Sequence, residues 1–515
     1  MPVIQQGAAI NSAVPDLYVQ ITPPQQTYIN GIATNILGIV GVGSWGPVNS
    51  PVTLAKYADA SQAFGPASNR KYDLSTAVFF SCLQGATNIR GVRVTDGTDV
   101  AASAALGTTG VTLTAKYTGT VGNAIVAALS AGTAASSWKL VLSLPGYAPE
   151  TFDNLAAGLS GNAVWVAIAA AINNGSSALR GPSKLVVAAA GASTSAPVAA
   201  SVTLSGGADG ASGVTATQMV GTDGTSRTGM YALRSTGCLN AFLADCDAST
   251  SWTAQVAYGL SEGTHMIGTG PAGDTIANAV TAKSTAGIDS YSFKLMFGDW
   301  CYVADPVTGV TRLISPQSFE AGLLSALPPQ ESALNGNGAR YPFQGIIATQ
   351  KTNGNSVYSN AELALLSNAG IDVITNPCPG GAFFGSRIGK NTSSNSAING
   401  DNYPRLTYYI AYTLNSAMGR EVGKLQTPTQ RQVALGKLTT FLSNMQNSGM
   451  IGDVNNPTKQ AFSVILDASN NPSDQVALGY EKANIRVTYL SVITTFLVDL
   501  EGGQTVSIVT PTATT

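Results

Sequence analysis

The sequence predicts a multidomain α/β (α+β) protein with a core built from N- and C-terminal parts, an inserted β-rich domain and an extended arm at each end. Three observations predict it. A buried-type strand, a helix and a second strand follow one another between residues 36 and 95. Composition then shifts near Asp96 to Gly, Ala, Ser and Thr with short β-type runs. Each end of the chain carries one short alternating segment with no evident local partner.

Residues 1–30 read as the N-terminal arm. Leu17, Val19 and Ile21 alternate with Tyr18, Gln20 and Thr22 between Pro15 and Pro23, the pattern of a single strand. A lone strand is not stable in water and must pair with something. Residues 31–96 form the first part of the core. The run 36–42 is continuously apolar, as a strand buried on both faces requires. Asp73 is placed to cap a helix over 74–84, with Leu74, Val78, Phe79 and Leu83 on one stripe and Gly85 as its stop. Residues 89–95 alternate as a second strand.

Residues 97–225 read as the inserted domain, with β-runs at 111–113 and 139–144, frequent turn signals and one helix over 163–172. Residues 226–400 return to an α/β pattern. There, 362–369 is helical, Gly370 ends the helix, and 371–375 is a buried strand. Residues 401–502 form a C-terminal core domain. Thr427-Pro428-Thr429-Gln430 combines an N-cap, a proline at the first helical position and the glutamine of a capping box. Leu435, Leu438, Phe441, Leu442 and Met445 supply the helix's apolar stripe, and strands are expected at 462–466, 484–489 and 493–500. Residues 503–515 form the C-terminal arm, where Val506 and Ile508 alternate with Thr505 and Ser507.

Composition restricts the function. The chain has 515 residues and only 10% are charged, against ~25% in ordinary domains. Gly reaches 56 and the apolar fraction is 44%, so disorder is not expected. A net charge of −2 supplies no basic field for nucleic acid or anionic lipid. So few charges give a surface little to keep it apart from copies of itself. The first residues show neither a basic nor an apolar signal region, and no stretch reaches the length of a membrane span. Folding in the cytoplasm is the expectation.

Catalytic patterns are sparse. Cys82, Cys238, Cys246, Cys301 and Cys378 show no CxxC spacing, so buried thiols are expected, with an intersubunit disulfide as the alternative. The single histidine, His265, lies in a loop-like stretch and reads as a surface or hydrogen-bonded residue rather than a base or ligand. Gly41-Val42-Gly43-Ser44-Trp45-Gly46 matches GxGxxG after a strand, but Pro47 and Pro51 follow where a dinucleotide site needs a helix to start. No metal, cofactor or catalytic residue is expected.

Two terminal strands on a charge-poor chain suggest polymerisation by strand addition. A donated strand of about five residues adds about five backbone hydrogen bonds, at a net ~0.5–1.5 kcal/mol each.

Several stretches carry a more specific signal: Gly31-x-x-Thr34, Gly46-Pro47-Val48-Asn49-Ser50-Pro51, Phe64-Gly65, and Gly85-Ala86-x-x-Ile89-Arg90-Gly91-Val92-Arg93-Val94. Further on come Ala115-Lys116-Tyr117-x-Gly119-Thr120-x-Gly122-Asn123, Pro316-x-x-x-x-Ala321-Gly322, Ala361-Glu362-Leu363, Ala369-Gly370-Ile371-Asp372-Val373-Ile374 and Gly385-Ser386-Arg387. In this order they resemble the contractile tail sheath proteins of bacteriophages, a family shared with contractile bacteriocins and injection systems. The segment 420–426 and the polar stretch 388–402 depart from the pattern.

The resemblance implies a structural subunit that polymerises as stacked hexameric rings around a tail tube and contracts to drive the tube through the host envelope for genome delivery. It implies baseplate and tail terminator or neck proteins as further partners, a place in the virion tail after assembly in the host cytoplasm, and neither nucleic-acid binding nor membrane insertion. Leu17, Val19 and Ile21 in one arm, with Val506, Ile508 and Val509 in the other, are the candidates for intersubunit strand addition; an ordinary edge strand is the alternative. Lys424 and Arg431, seven apart, are candidates for contact with an acidic tube, or simply a solvated face. A capsid or surface-layer protein is the competing structural reading, and an oxidoreductase using the glycine run is the enzymatic one. Deletion of residues 2–22 is expected to leave a folded monomer that forms no polymer in sedimentation analysis.

Overall fold

The apolar run at 36–42 becomes the interior of a sheet. In the computed structural model, which describes residues 3–5, 19–21, 29 and 31–500, strand Ile36–Gly41 pairs in parallel with Asn88–Arg93 on one side and Asn240–Leu243 on the other. The sheet has seven strands, in the order Ile371–Asp372, Phe293–Met296, His265–Thr269, Asn240–Leu243, Ile36–Gly41, Asn88–Arg93, Val52–Leu54. Only the edge strand Val52–Leu54 runs antiparallel to its neighbour. Parallel strands need covering on both faces, and the central strands Asn240–Leu243, His265–Thr269 and Phe293–Met296 are buried along their whole length. Residues 31–96 and 226–400 thus contribute to one sheet.

Helix Leu74–Leu83 starts as its sequence requires, with Asp73 Oδ2 accepting from the Thr76 amide at 2.9 Å. It does not present a single apolar stripe. Phe80 is buried in place of Phe79, and Leu83 is 42% exposed. The reason is a second layer, helix Gln317–Ala326, packed so closely that a Cβ on Gly322 would lie 2.7 Å from Ser81 O. Ser81 donates to Ser318 O at 3.2 Å across the contact, and Phe80 meets Phe319 with ring centroids 5.5 Å apart.

The β-rich insertion has its own core. One sheet runs Glu150–Leu155, Trp138–Ser143, Val126–Ala131, Ala200–Thr203; a second runs Val186–Ala190, Val111–Ala115, Ser103–Leu106. Helix Asn162–Asn174 adds Trp165, Ile168 and Ile172 to that core. The insertion is locked to the main sheet through Trp45, which sits in the insertion's core and meets Tyr117 edge-on at 5.3 Å. Fully buried Arg93 donates to Gly46 O, Thr118 O and Asp209 O at 2.9, 2.7 and 3.1 Å. Arg70 adds an ion pair to Asp209 at 2.7 Å.

A second, smaller unit comprises residues up to Ile32 and Tyr409–Leu490. Its helix Pro428–Asn447 is capped by Thr427, whose hydroxyl accepts from the Gln430 amide at 3.1 Å. The reciprocal half of the capping box is absent, because the Gln430 side chain donates to Glu421 instead. Ala434, Leu438, Phe441, Leu442 and Met445 are buried, with Leu435 beside them. Strands Phe462–Ile465 and Asn484–Val487 form an antiparallel pair whose Val464 and Ile485 pack toward Ala434 and Leu438.

Two terminal expectations change. The alternation at 17–22 gives strand Val19–Ile21, and it has a local partner: Val3–Gln5, in parallel register. Residues 493–500 form no strand; they are exposed chain. Leu17, Val506, Ile508 and Val509 lie outside the described residues.

Gly119 (φ 125°) is the tightest point between insertion and core, since a Cβ there would fall 2.0 Å from Ser44 O. Gly119→Ala is expected to destabilise the protein by ~1–3 kcal/mol, read as a lower midpoint in denaturant unfolding.

Candidate functional site

The glycine run 41–46 is filled by the chain itself. The Ser44 and Trp45 amides, which a phosphate would need, both donate to Phe64 O, at 2.8 and 3.1 Å. Gly46 is pressed against Ala63, so that a Cβ would sit 2.1 Å from its carbonyl oxygen. The next element is strand Val52–Leu54, not a helix. The glycines serve close packing and the seat of Trp45.

His265 is not exposed. It opens strand His265–Thr269 and is fully buried, with the Ser292 backbone beside its ring. Burial, with Lys294 and Arg405 nearby, holds its pKa well below the ordinary value, so it is a neutral core residue. All five cysteines are free thiols; four are buried and Cys82 is half-buried. Burial pushes the Cys82 thiol up to about 11, which makes it a poor nucleophile at neutral pH.

A cleft of about 670 Å³ opens beyond the carboxyl ends of strands His265–Thr269 and Phe293–Met296, over Ile276, Val280, Phe297 and Leu365. Its polar groups are already engaged. The Tyr358 hydroxyl donates to Asp299 at 2.9 Å, and Lys351 pairs with Glu362 at 2.7 Å. The arrangement holds shape and offers no nucleophile–base pair.

The surfaces that can act are those where apolar chain meets water. From Ile493 to Leu500 the backbone forms no strand, and Phe496, Leu497 and Leu500 are 80%, 81% and 90% exposed. The sequence Val-Ile-Thr-Thr-Phe-Leu-Val is β-branched and aromatic, well suited to a strand. The two-stranded sheet of the smaller unit has the converse property. Among the described residues it has no third strand, and two strands alone are marginal in water. The same unit exposes Val422 and Leu425 (84% and 82%) and Leu478 and Tyr480. Gln426 Nε2 joins these two segments by donating to Tyr480 O at 2.8 Å.

Lys424 and Arg431 stand on this unit but are not free cations. Lys424 pairs with Glu421 at 2.9 Å, as does Lys437 at 2.6 Å, and Arg431 pairs with Glu481 at 3.0 Å. Burial opposes ionisation of Glu421, but Lys437 and Lys424 outweigh it and hold the carboxyl below its ordinary range.

A group that sequence reasoning missed lies beside the sheet: Lys294 with Glu320, Asp372 and Asp401, all fully buried and each carboxylate in ionic contact with Lys294. A signal was present. In a chain with 10% charged residues, Phe293-Lys294-Leu295-Met296, Phe319-Glu320-Ala321 and Ile371-Asp372-Val373 each set a charge within apolar neighbours. Such residues are seldom fully buried unless paired.

No protein-family model matches the sequence, and no curated protein matches it. Solved structures do. The sheath tail protein of Listeria innocua is 15% identical with a TM-score of 0.60, covering 88% of this chain and 94% of that one. The sheath tail protein of Desulfitobacterium hafniense is 14% identical with a TM-score of 0.57, covering 92% and 100%. The sheath of an extracellular contractile injection system in its contracted state is 10% identical with a TM-score of 0.54, covering 96% and 99%. The chain has the fold of these sheath proteins over nearly its full length. Arg431→Ala is expected to change stability by less than ~1 kcal/mol, because the pair it breaks is partly exposed; denaturant unfolding measures it.

Proposed function

We propose that this chain is the structural subunit of a contractile sheath, polymerising around an inner tube and shortening to drive that tube through a cell envelope. The carrying observation is the shared fold, which spans nearly the whole of the chain and of the sheath proteins it matches. Stacked hexameric rings, a phage tail with its tube, baseplate and neck proteins, and genome delivery complete the proposal. No catalytic role is assigned to any residue.

The exposed segment at 493–500 supports assembly by strand addition. One copy donates it to an open edge of another copy's sheet, Phe462–Ile465 with Asn484–Val487. Backbone hydrogen bonds supply the affinity of such a joint, and alternate side chains supply the register. The donor region thus begins before Val506, Ile508 and Val509. Val19 and Ile21 remain candidates for the N-terminal joint, with Val3–Gln5 as the strand they would carry or exchange. For the tube, Lys424 and Arg431 would have to exchange their present partners, Glu421 and Glu481, for acidic groups outside the subunit.

Negative-stain electron microscopy of the purified chain tests the reading: striated hollow cylinders or stacked rings support it, and uniform monomers at high concentration overturn it. The double variant F496D/V498D is expected to leave stability within ~0.5 kcal/mol, because both positions are exposed. It is also expected to abolish cylinders; cylinders of normal length from that variant would remove the segment from the joint.

A further inference from the structure

Lys294 projects from strand Phe293–Met296 and is fully buried. Its Nζ lies 2.6 Å from Glu320 Oε1, 2.7 Å from Asp372 Oδ2 and 2.9 Å from Asp401 Oδ2. The three carboxylates come from helix Gln317–Ala326, strand Ile371–Asp372 and the residue before helix Asn402–Met418. From that last helix, Arg405 reaches back and donates to Leu324 O, Leu327 O and Pro328 O at 2.5, 2.6 and 3.2 Å, and to Glu331 O at 2.7 Å. These carbonyls lie at and beyond the end of helix Gln317–Ala326, where a cation is favoured. Asn402 adds a bond to Gln330 O at 3.2 Å. The root of the helix is therefore held by charged groups rather than by apolar packing alone.

The charges do not balance as ordinarily ionised. Lys294 and Arg405 bring two positive charges, the three carboxylates bring three negative ones, and His265 beside them is neutral. One proton on a carboxyl makes the fully buried group neutral. The oxygens are not equally suited to carry it. Asp372 is fixed as an anion by the Ser386 hydroxyl at 2.7 Å and by the amides of Val373, Ile388 and Gly389 at 2.7, 2.9 and 2.8 Å. Glu320 has no such donors, and its Oε2, like Asp401 Oδ1, has no hydrogen-bond partner among the described residues.

We propose that this cluster is a proton-linked latch: a proton held on Glu320 neutralises the group and keeps the root of helix Asn402–Met418 fastened to the sheet.

The electrostatics agree. Burial pushes the Glu320 carboxyl up to about 7 against the pull of Lys294, with Asp372 and Asp401 adding to the rise. Burial opposes the charge on Lys294, but Asp372, Asp401 and Glu320 outweigh it and hold its pKa well above the ordinary value. Burial likewise opposes ionisation of Asp372, which Lys294 and the hydrogen bonds reverse. Glu331, at the loop facing Arg405, is the remaining titratable neighbour. A carboxyl raised from 4.5 to about 7 on folding adds stability that is complete below the unfolded value and is lost as pH rises through about 7. His265, depressed on folding, acts oppositely, losing its contribution as pH falls below 6.5. A comparison with and without the Glu320 carboxyl cancels the histidine.

The test is amide hydrogen exchange by mass spectrometry on the full-length chain and its Glu320→Gln variant, following residues 402–408 and correcting for intrinsic exchange. The ratio of wild-type to variant protection is expected to fall by up to about tenfold per pH unit between about pH 5 and about pH 7, then to level off. A ratio that is the same at both ends of that range overturns the latch. So does failure of Glu320→Gln to fold, since glutamine reproduces the neutral carboxyl. Lys294→Gln leaves three carboxyls with only Arg405, and its protection at 402–408 is expected to rise steeply as pH is lowered; protection indifferent to pH overturns the proposal. An intact mass one water lighter than the sequence would mean that Lys294 is joined to a carboxyl as an amide, leaving no proton to store, and would overturn it too.

Discussion

The larger unit depends on the double pairing of one strand. Ile36–Gly41 meets Asn88–Arg93 and Asn240–Leu243, in parallel on both sides, so neither connection can be a tight hairpin. The first crossover uses helix Leu74–Leu83. The second runs through the whole β-rich insertion before the chain returns to the sheet. Such a detour is tolerable because loop-closure entropy grows slowly with length and because the insertion contributes a core of its own. Trp45, Arg70 and Arg93 then fix its position against the sheet, at the carboxyl end of the same strand. The glycine run that resembles a nucleotide loop is where core and insertion close on each other.

Much of this organisation is readable from the residues. Ile36–Gly41, the helix capped by Asp73, helix Asn162–Asn174 and the helix opened by Thr427-Pro428 follow from apolar runs and capping residues acting locally. What escapes sequence reasoning is decided by distant neighbours. Helix Leu74–Leu83 loses its stripe because Gly322 admits a second helix. The Gln430 side chain turns to Glu421 rather than to its own cap. His265 looks like a loop residue because Gly263 and Thr264 precede it, yet it begins a central strand. Residues 493–500 have the composition of a strand, but pairing needs a partner, and sequence pattern alone cannot supply one.

A low charge content also changes where charges lie. The polar stretch around Asn391, Thr392 and Ser393 is buried, with the Thr392 amide donating to Phe293 O at 2.9 Å beside the sheet. Lys294, Glu320, Asp372 and Asp401 are fully buried as well. Removing Lys294 would strand three carboxyls in a medium of low dielectric constant, which is strongly destabilising while they are ionised. Buried charges thus hold specific geometry here, while other charged residues pair nearer the surface, as Lys71 does with Asp247.

Donor and acceptor in the proposed joint are different parts of one chain: the segment after Ser491 and the sheet formed by Phe462–Ile465 with Asn484–Val487. Such a contact is heterologous rather than two-fold. Two copies joined this way still leave one free donor and one free edge, so a dimer does not satisfy both. Growth stops only when a cyclic arrangement closes or when a cap of different composition occupies the last edge; otherwise it continues as an open helix. The length of the polymer is then not encoded in the subunit and must be set by whatever terminates it.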